Sequence, residues 1–151
     1  MALRNVVMHD DELLRKKSKP VSKFDEKLEV LLDDMRQTMI QNNGMGLAAP
    51  QVGCLKRVVV IECNNMFLEL INPVIIHQSG EDVDEEGCLS VKGIHGKVKR
   101  PMYVTVQAQD RYGYNFTLTG EKLLARALCH EIDHLDGVLF IDKLIEQSDG
   151  E

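Results

Sequence analysis

No C-x-x-C pair occurs among the four cysteines, Cys54, Cys63, Cys88 and Cys129, so neither a disulfide framework nor a dithiol redox motif is written into the chain. Long apolar runs are also missing. The stretch from Val58 to Ile61 is far too short to cross a bilayer, and Met1-Ala2-Leu3-Arg4 does not lead into an apolar signal core. Positive charge is not in excess: 18 Lys and Arg stand against 24 Asp and Glu, a net charge of -6. That balance argues against nucleic-acid backbone, and so against DNA, as a direct partner. Internal repeats, low-complexity segments and dividing linkers are absent as well. These absences leave an expected soluble, intracellular protein with no membrane partner, residues 1–151 forming a single domain. A chain of this size buries about two thirds of the surface its unfolded form exposes, and a composition of 44% hydrophobic and 28% charged residues needs no covalent staple.

The stretch richest in chemistry is Ala127-Leu128-Cys129-His130-Glu131-Ile132-Asp133-His134-Leu135-Asp136-Gly137, which contains His-Glu-x-x-His. Residues four apart stand above one another on a helix, so His130 and His134 can aim two imidazoles at one metal ion with Glu131 beside it. The helix is predicted to start near Thr119, a good cap, and to stop at Gly137. Its turns put Leu123, Ala127, His130 and His134 on one stripe and Leu124, Leu128, Glu131 and Leu135 on the next. The side with Lys122, Arg126, Asp133 and Asp136 is polar. A helix apolar over most of its circumference is buried, and polar groups inside it cost about 1–3 kcal/mol each unless they share a partner. A metal ion supplies that partner; two core histidines bonded to backbone are the plainer alternative.

The rest of the chain reads as short strands and one more helix. Residues 1–20 form an irregular arm closed by Lys19-Pro20-Val21. Ser22-x-x-Asp25 resembles a helix start, and Phe24, Leu28, Leu31, Leu32, Met35 and Met39 then recur at steps of three and four up to Asn42-Asn43-Gly44, an amphipathic helix. Arg57 to Glu62 is a β-branched strand. Leu68 to Ile76 gives one or two more, with a turn or edge irregularity at Asn72-Pro73. Gly80 to Glu86 is acidic and expected to be exposed, Glu86-Gly87-Cys88-Leu89-Ser90-Val91 is a short strand, and Gly93 to Arg100 suggests a hairpin connection. Tyr103 to Ala108 and Asn115 to Leu118 make a second hairpin around Arg111-Tyr112-Gly113-Tyr114. Val138 to Ile141 adds a strand-like piece before a polar tail, Asp142 to Glu151. The predicted class is α+β: antiparallel sheets packed around a central C-terminal helix that carries His-Glu-x-x-His, plus one N-terminal amphipathic helix.

A catalytic site of zinc type takes three protein ligands and keeps one position open. Downstream of His134 there are 17 residues, none of them histidine, and Glu146 and Glu151 sit in a tail too polar and short to build a second packed helix. The upstream candidates are His9, His77, His95 and the cysteines. Cys88 stands out, following a glycine in a strand that could pack against the helix. A lone cysteine is more often a small buried hydrophobe, but a Cys-His-His set would carry one thiolate charge and favour soft or borderline divalent metals. Gly44-Met45-Gly46-Leu47-Ala48-Ala49-Pro50-Gln51-Val52-Gly53 lets backbone approach a ligand or strand closely. It lacks the lysine and Ser/Thr of a phosphate loop.

Three of these stretches together, Gly44-Met45-Gly46-Leu47-Ala48-Ala49-Pro50-Gln51, Glu86-Gly87-Cys88-Leu89-Ser90 and His130-Glu131-Ile132-Asp133-His134-Leu135-Asp136-Gly137, resemble the three signature motifs of the peptide deformylases in the family's order. The resemblance spans nearly the whole chain. It implies a cytoplasmic metal-dependent hydrolase that removes the N-formyl group from formyl-methionine at the start of nascent polypeptides and releases formate, with the ribosome surface a candidate further partner. By motif, it implies that Cys88, His130 and His134 bind Fe(II), replaceable by Zn, Ni or Co, and that Glu131 is the general acid/base. Gln51 through its side-chain amide and Leu89 through its backbone N–H would donate to the developing oxyanion. Met45, Gly46 and Gly87 would bind the substrate backbone as an added strand, and Leu123 and Ala127 would line the methionine pocket. Glu86 could orient a ligand and Arg100 could pair with Asp133.

The chain departs from the family pattern at Cys129, where glutamine is common, and at Lys92, where proline is common. Cys129 would add an oxidation site and Lys92 would alter the rim of the groove. A long C-terminal helix found in some members is not expected. Two other readings differ in class: a catalytically weak deformylase-like protein that binds metal or peptide amino termini, and a His-Glu-x-x-His endopeptidase. Retention of Glu131, Gln51 and Cys88 weighs against the first, and the missing downstream ligand against the second.

Overall fold

In the computed structural model, which describes residues 2–148, the run Val58–Ile61 is buried residue by residue because both faces of its strand are covered. Val58 and Val60 pack beneath the first helix, and Val59 and Ile61 beneath the second. The first helix, α1 (Glu26–Gln41), opens at Asp25, whose carboxylate accepts the Leu28 N–H at 3.2 Å, and turns its Leu28, Leu31, Leu32, Met35 and Met39 inward. It ends where expected, with Asn43 at a φ of 57°.

The sheet between the helices has the order β1-β2-β3-β6-β7, every pair antiparallel: β1 (Gly46–Ala48), β2 (Val58–Cys63), β3 (Met66–Ser79), β6 (Tyr103–Gln109) and β7 (Asn115–Glu121). Here β4 (Asp82–Cys88) and β5 (Val91–Arg100) belong to a second antiparallel sheet of order β4-β5-β8, with β8 at Leu144–Ser148. The second helix, α2 (Leu123–Leu135), lies on the larger sheet with Ala125, Leu128, Ile132 and Leu135 against Val59, Leu70, Val104 and Val106. A separate small cluster of Val91, Val98 and Phe140, joined by Cys88, Ile94 and Leu144, fills the space under the second sheet.

Several boundaries differ from the sequence expectation, each because pairing between distant segments outweighs a local signal. Thr119 does not cap a helix: it sits in β7 opposite Thr105, their hydroxyls 3.0 Å apart, and α2 begins only after Lys122 turns the chain at a φ of 53°. Asn72 holds a φ of 54° and its side chain bonds the Val21 backbone and the Gln109 side chain, so Asn72-Pro73 is an irregularity within one 14-residue strand. The acidic stretch after Gly80 is β4 with Glu86 buried, and Gly93 to Arg100 is most of β5, so the hairpin turn lies at Leu89-Ser90. A 3-10 helix, Phe140–Lys143, replaces the strand expected from Val138 to Ile141, and the polar tail supplies β8. Residues 149–151 of that tail lie outside the described residues.

The N-terminal arm is ordered by specific bonds. Asp34 accepts the Ala2 N–H at 2.8 Å and the Arg4 guanidinium at 2.9 Å, Val7 donates to the Gln51 carbonyl at 2.7 Å, and Ser18 donates to the Leu135 carbonyl at the end of α2 at 2.8 Å. Among the described residues no helix is long and apolar enough to cross a membrane.

Leu32, fully buried in α1, is expected to cost about 2–5 kcal/mol when cut to alanine, whereas Ile40→Ala on the same helix, 51% exposed, should stay within about 0.5 kcal/mol. Urea unfolding monitored by circular dichroism checks the pair; equal losses would contradict the two-faced burial of the sheet.

Candidate metal centre

On α2 the four-residue spacing brings His130 and His134, with Glu131 beside them, to the side facing the second sheet, where β4 ends in Cys88. The Cys88 Sγ and one ring nitrogen from each histidine lie within 4.8 Å of one another, with Sγ 3.4 Å from His134 Nε2. His9, His77 and His95 take no part in this group. His9 meets the Ser90 carbonyl through its backbone N–H and its ring Nδ1, and His77 is exposed on β3.

The orientation of His130 is set from behind. Its Nδ1 is 2.9 Å from Glu86 Oε1, which leaves Nε2 to face the group. Glu86 is itself held: Arg100 donates from Nε at 2.8 Å and from a terminal nitrogen at 3.0 Å, and Arg126 donates at 2.6 Å. Arg100 also donates to Asp133 at 2.6 Å. Burial alone would raise the Glu86 carboxyl, but the hydrogen bonds from Arg100 and His130 win and hold it at about 2, so it is an anion at any ordinary pH.

Gln51, in the 3-10 helix Ala49–Val52, is 1% exposed. Its amide oxygen accepts the Ala48 N–H at 3.0 Å, and its Nε2 donates to Ser90 Oγ at 3.0 Å and points at Cys88 Sγ at 3.5 Å. A cavity of about 340 Å³ opens in front of the group. Met45, Gly46, Gly87, Leu89, Leu123 and Ala127 line it together with Cys88, His130 and Glu131, while Gln51 and His134 are buried beyond its wall. Gly46 is required for space: a Cβ there would stand 2.5 Å from Glu131 Oε2.

A family model for polypeptide deformylase matches residues 3–149. The chain belongs to the polypeptide deformylase family. It is 60% identical over 145 residues to the peptide deformylase of Caldicellulosiruptor bescii, covering 96% of this chain and 87% of that one. Among solved structures, the peptide deformylase of Legionella pneumophila superposes with a TM-score of 0.92 at 48% identity, covering 95% of this chain and 86% of that one. The Thermotoga maritima peptide deformylase gives 0.93 at 39%, covering 95% and 99%. Deformylases are metal-dependent hydrolases of the N-formyl amide.

The residues here fit a divalent ion. Burial and the neighbouring His130 and Arg100 charges push His134 well below its ordinary value, so its ring is neutral with a lone pair to give. His130 is pulled the other way: burial disfavours its cation, yet Glu131, Cys88 and Glu86 raise it well above the usual imidazole value. One thiol and two imidazoles, facing one another within 4.8 Å, are the donor types that soft or borderline divalent ions take. Burial lifts Glu131 to about 7 against the lowering effect of His130. His134 Nδ1 and Glu131 Oε1 are buried without a hydrogen-bond partner among the described residues.

Two functional neighbours escaped the sequence reading. Arg126, assigned to the polar side of the helix, is 4% exposed and lines the cavity. The one signal for it was spacing, since Arg126, His130 and His134 are four apart and share a face. Ser90, fully buried, receives the Gln51 amide and carried no signal of its own. Neither departure from the family pattern lies among the residues that line the cavity. Cys129 is 5% exposed, packed in the core under α2, and burial pushes its thiol up to about 11, so it stays protonated and shielded rather than adding an oxidation site. Lys92 is exposed on β5 and is not among the cavity's lining residues.

Treated with a chelator and a thiol reagent at pH 8, the folded protein should label at Cys54 and Cys88, the two half-buried cysteines, while the buried Cys63 and Cys129 react only on unfolding. Labelling of Cys129 in the native state, read by mass spectrometry, would contradict its burial.

Proposed function

We propose that residues 1–151 act as one catalytic domain that hydrolyses the N-formyl amide of formyl-methionyl peptides. The observation that supports this best is the convergence of one thiol and two imidazole donors within 4.8 Å, with Cys88, His130 and Glu131 lining a cavity bounded by β1 and β4 and His134 buried behind them. Cys88, His130 and His134 are the ligands, with Fe(II) the native metal and Zn, Ni or Co able to replace it. When bound, the ion supplies Lewis acidity, polarising the formyl carbonyl and making water a competent nucleophile near neutral pH.

The chain's own groups do the rest. Glu131, its Oε2 3.9 Å from His130 Nε2, takes a proton from the attacking water and delivers it to the departing amine nitrogen. The C–N bond breaks as the new C–O bond is retained, giving formate and a free amino terminus. The Gln51 side-chain amide and the Leu89 N–H donate to the formyl oxygen as its charge grows; such preorganised donors contribute about 3–4 kcal/mol to lowering a barrier. Met45, Gly46 and Gly87 flank the peptide, which enters as an added strand between the free edges of β1 and β4. Leu123 and Ala127 receive the methionine side chain. Formylated nascent chains in the cytoplasm are the substrates, and the ribosome surface from which they emerge is a further partner; DNA and membranes are not.

Formate release from formyl-Met-Ala, measured on iron-loaded protein kept free of oxygen, should fall about 10²–10⁴-fold in Glu131→Ala and about 10²–10³-fold in Gln51→Ala, and be abolished in Cys88→Ser. A wild-type chain no faster than Glu131→Ala would overturn the enzyme reading. Internal cleavage of unformylated peptides would point to an endopeptidase.

A further inference from the structure

We infer that Arg126 is a positioning residue for the metal centre: it fixes the gap between the strand that ends in Cys88 and the helix that carries His130 and His134. The inference rests on the ligand set proposed above and concerns how this chain holds it.

The strand and the helix do not share an apolar core. The buried side chains of α2 belong to the cluster under the larger sheet, whereas Cys88 belongs with Val91, Val98 and Phe140 under the smaller one. Cys88 pairs with Val91 across the hairpin turn, but β4 is an edge strand and its register shifts between Glu86 and Cys88, so that pairing ties Cys88 to β5 and not to the helix. Apart from the His130 ring stacked on Phe140 at 6.0 Å, the joint between the two ligand-bearing elements is therefore polar.

Arg126 makes that joint at several points from one side chain. It stands one turn before His130, and one terminal nitrogen donates to Glu86 Oε2 at 2.6 Å and to the Val98 carbonyl at 2.9 Å. The other donates to the Asp82 carbonyl at 2.8 Å and to Asp82 Oδ2 at 3.0 Å. A planar, fixed fork of this kind holds two strands at one spacing as a flexible ammonium does not. Arg100 grips the same Glu86, but from β5, within the same hairpin, and reaches α2 only through Asp133. His130 meets β4 at Glu86 alone, whereas Arg126 reaches it at both Glu86 and Asp82, and its grip on Glu86 also steadies the carboxylate that orients His130.

The test is made on cobalt-loaded protein, comparing wild type, Arg126→Met and Arg126→Lys. Arg126→Met keeps the stem and removes the fork. It should release cobalt to a chelator about tenfold or more faster and shift the thiolate-to-cobalt absorption band, while Arg126→Lys falls between it and wild type. Arg111→Met serves as control. It cuts an ion cluster joining Asp33 and Glu69, outside the residues that line the cavity, and should leave release and spectrum unchanged. Release and spectrum within about twofold of wild type in Arg126→Met would overturn the inference, as would an Arg111→Met protein that loses metal equally fast. Should Arg126→Met fail to fold, Asp82→Ala, which removes one end of the tie, is read by the same two signals: faster release with a shifted band supports the inference, and wild-type behaviour overturns it. These readouts are independent of turnover: a wild-type chain that binds cobalt but releases no formate would sink the deformylase reading alone, and one that binds no cobalt would sink both.

Discussion

Glu86 accepts from Arg100, Arg126 and His130 at once, and the rest of the site depends on that one buried carboxylate. Taking these charges out of water costs several kcal/mol per ion, so such a cluster persists only when nearly every donor and acceptor is used, and cutting one member costs about 3–5 kcal/mol. Both Glu86 oxygens are saturated. The carboxylate therefore has one orientation, and so does the imidazole bonded to it.

From this anchor the donor set follows in steps. His130 Nδ1 is spent on Glu86, its Nε2 faces Cys88, and the helical repeat carries His134 to the same side one turn later. The opposite wall is assembled by the N-terminal half of the chain. Gln51 is pinned by the Ala48 N–H and by Ser90, and the arm closes behind both, Val7 donating to the Gln51 carbonyl and His9 to that of Ser90. Gly46 contributes by lacking a side chain, since Glu131 occupies the space a methyl group would need. Groups from distant parts of the sequence thus meet around one small volume, with apolar packing supplied separately to each side.

What could be read from the sequence was whatever a local pattern records. The i, i+4 histidines, the stripe of α1 and the β-branched run of β2 each state their own geometry, and the resemblance in three motifs brought Cys88 and Gln51 to the site that His130 and His134 define. What could not be read was set by partners far away in the chain. Thr119 carries a good capping side chain, yet β6 claims it for a strand. Leu144–Ser148 looks like a polar tail until β5 offers it an edge. Arg126 looks solvent-facing because charge ordinarily marks the wet side of a helix; only the acidic β4, folded back over α2, makes burial tolerable.

The central claim is that one thiolate and two imidazoles, held at the spacing fixed by the Glu86 joint, bind a single metal ion. X-ray absorption at the zinc edge of protein loaded with one equivalent tests it most directly. The expected shell has one sulfur at about 2.3 Å and two imidazole nitrogens at about 2.0–2.1 Å, with a light atom completing it. A shell without sulfur, or one with two sulfurs, would contradict the claim.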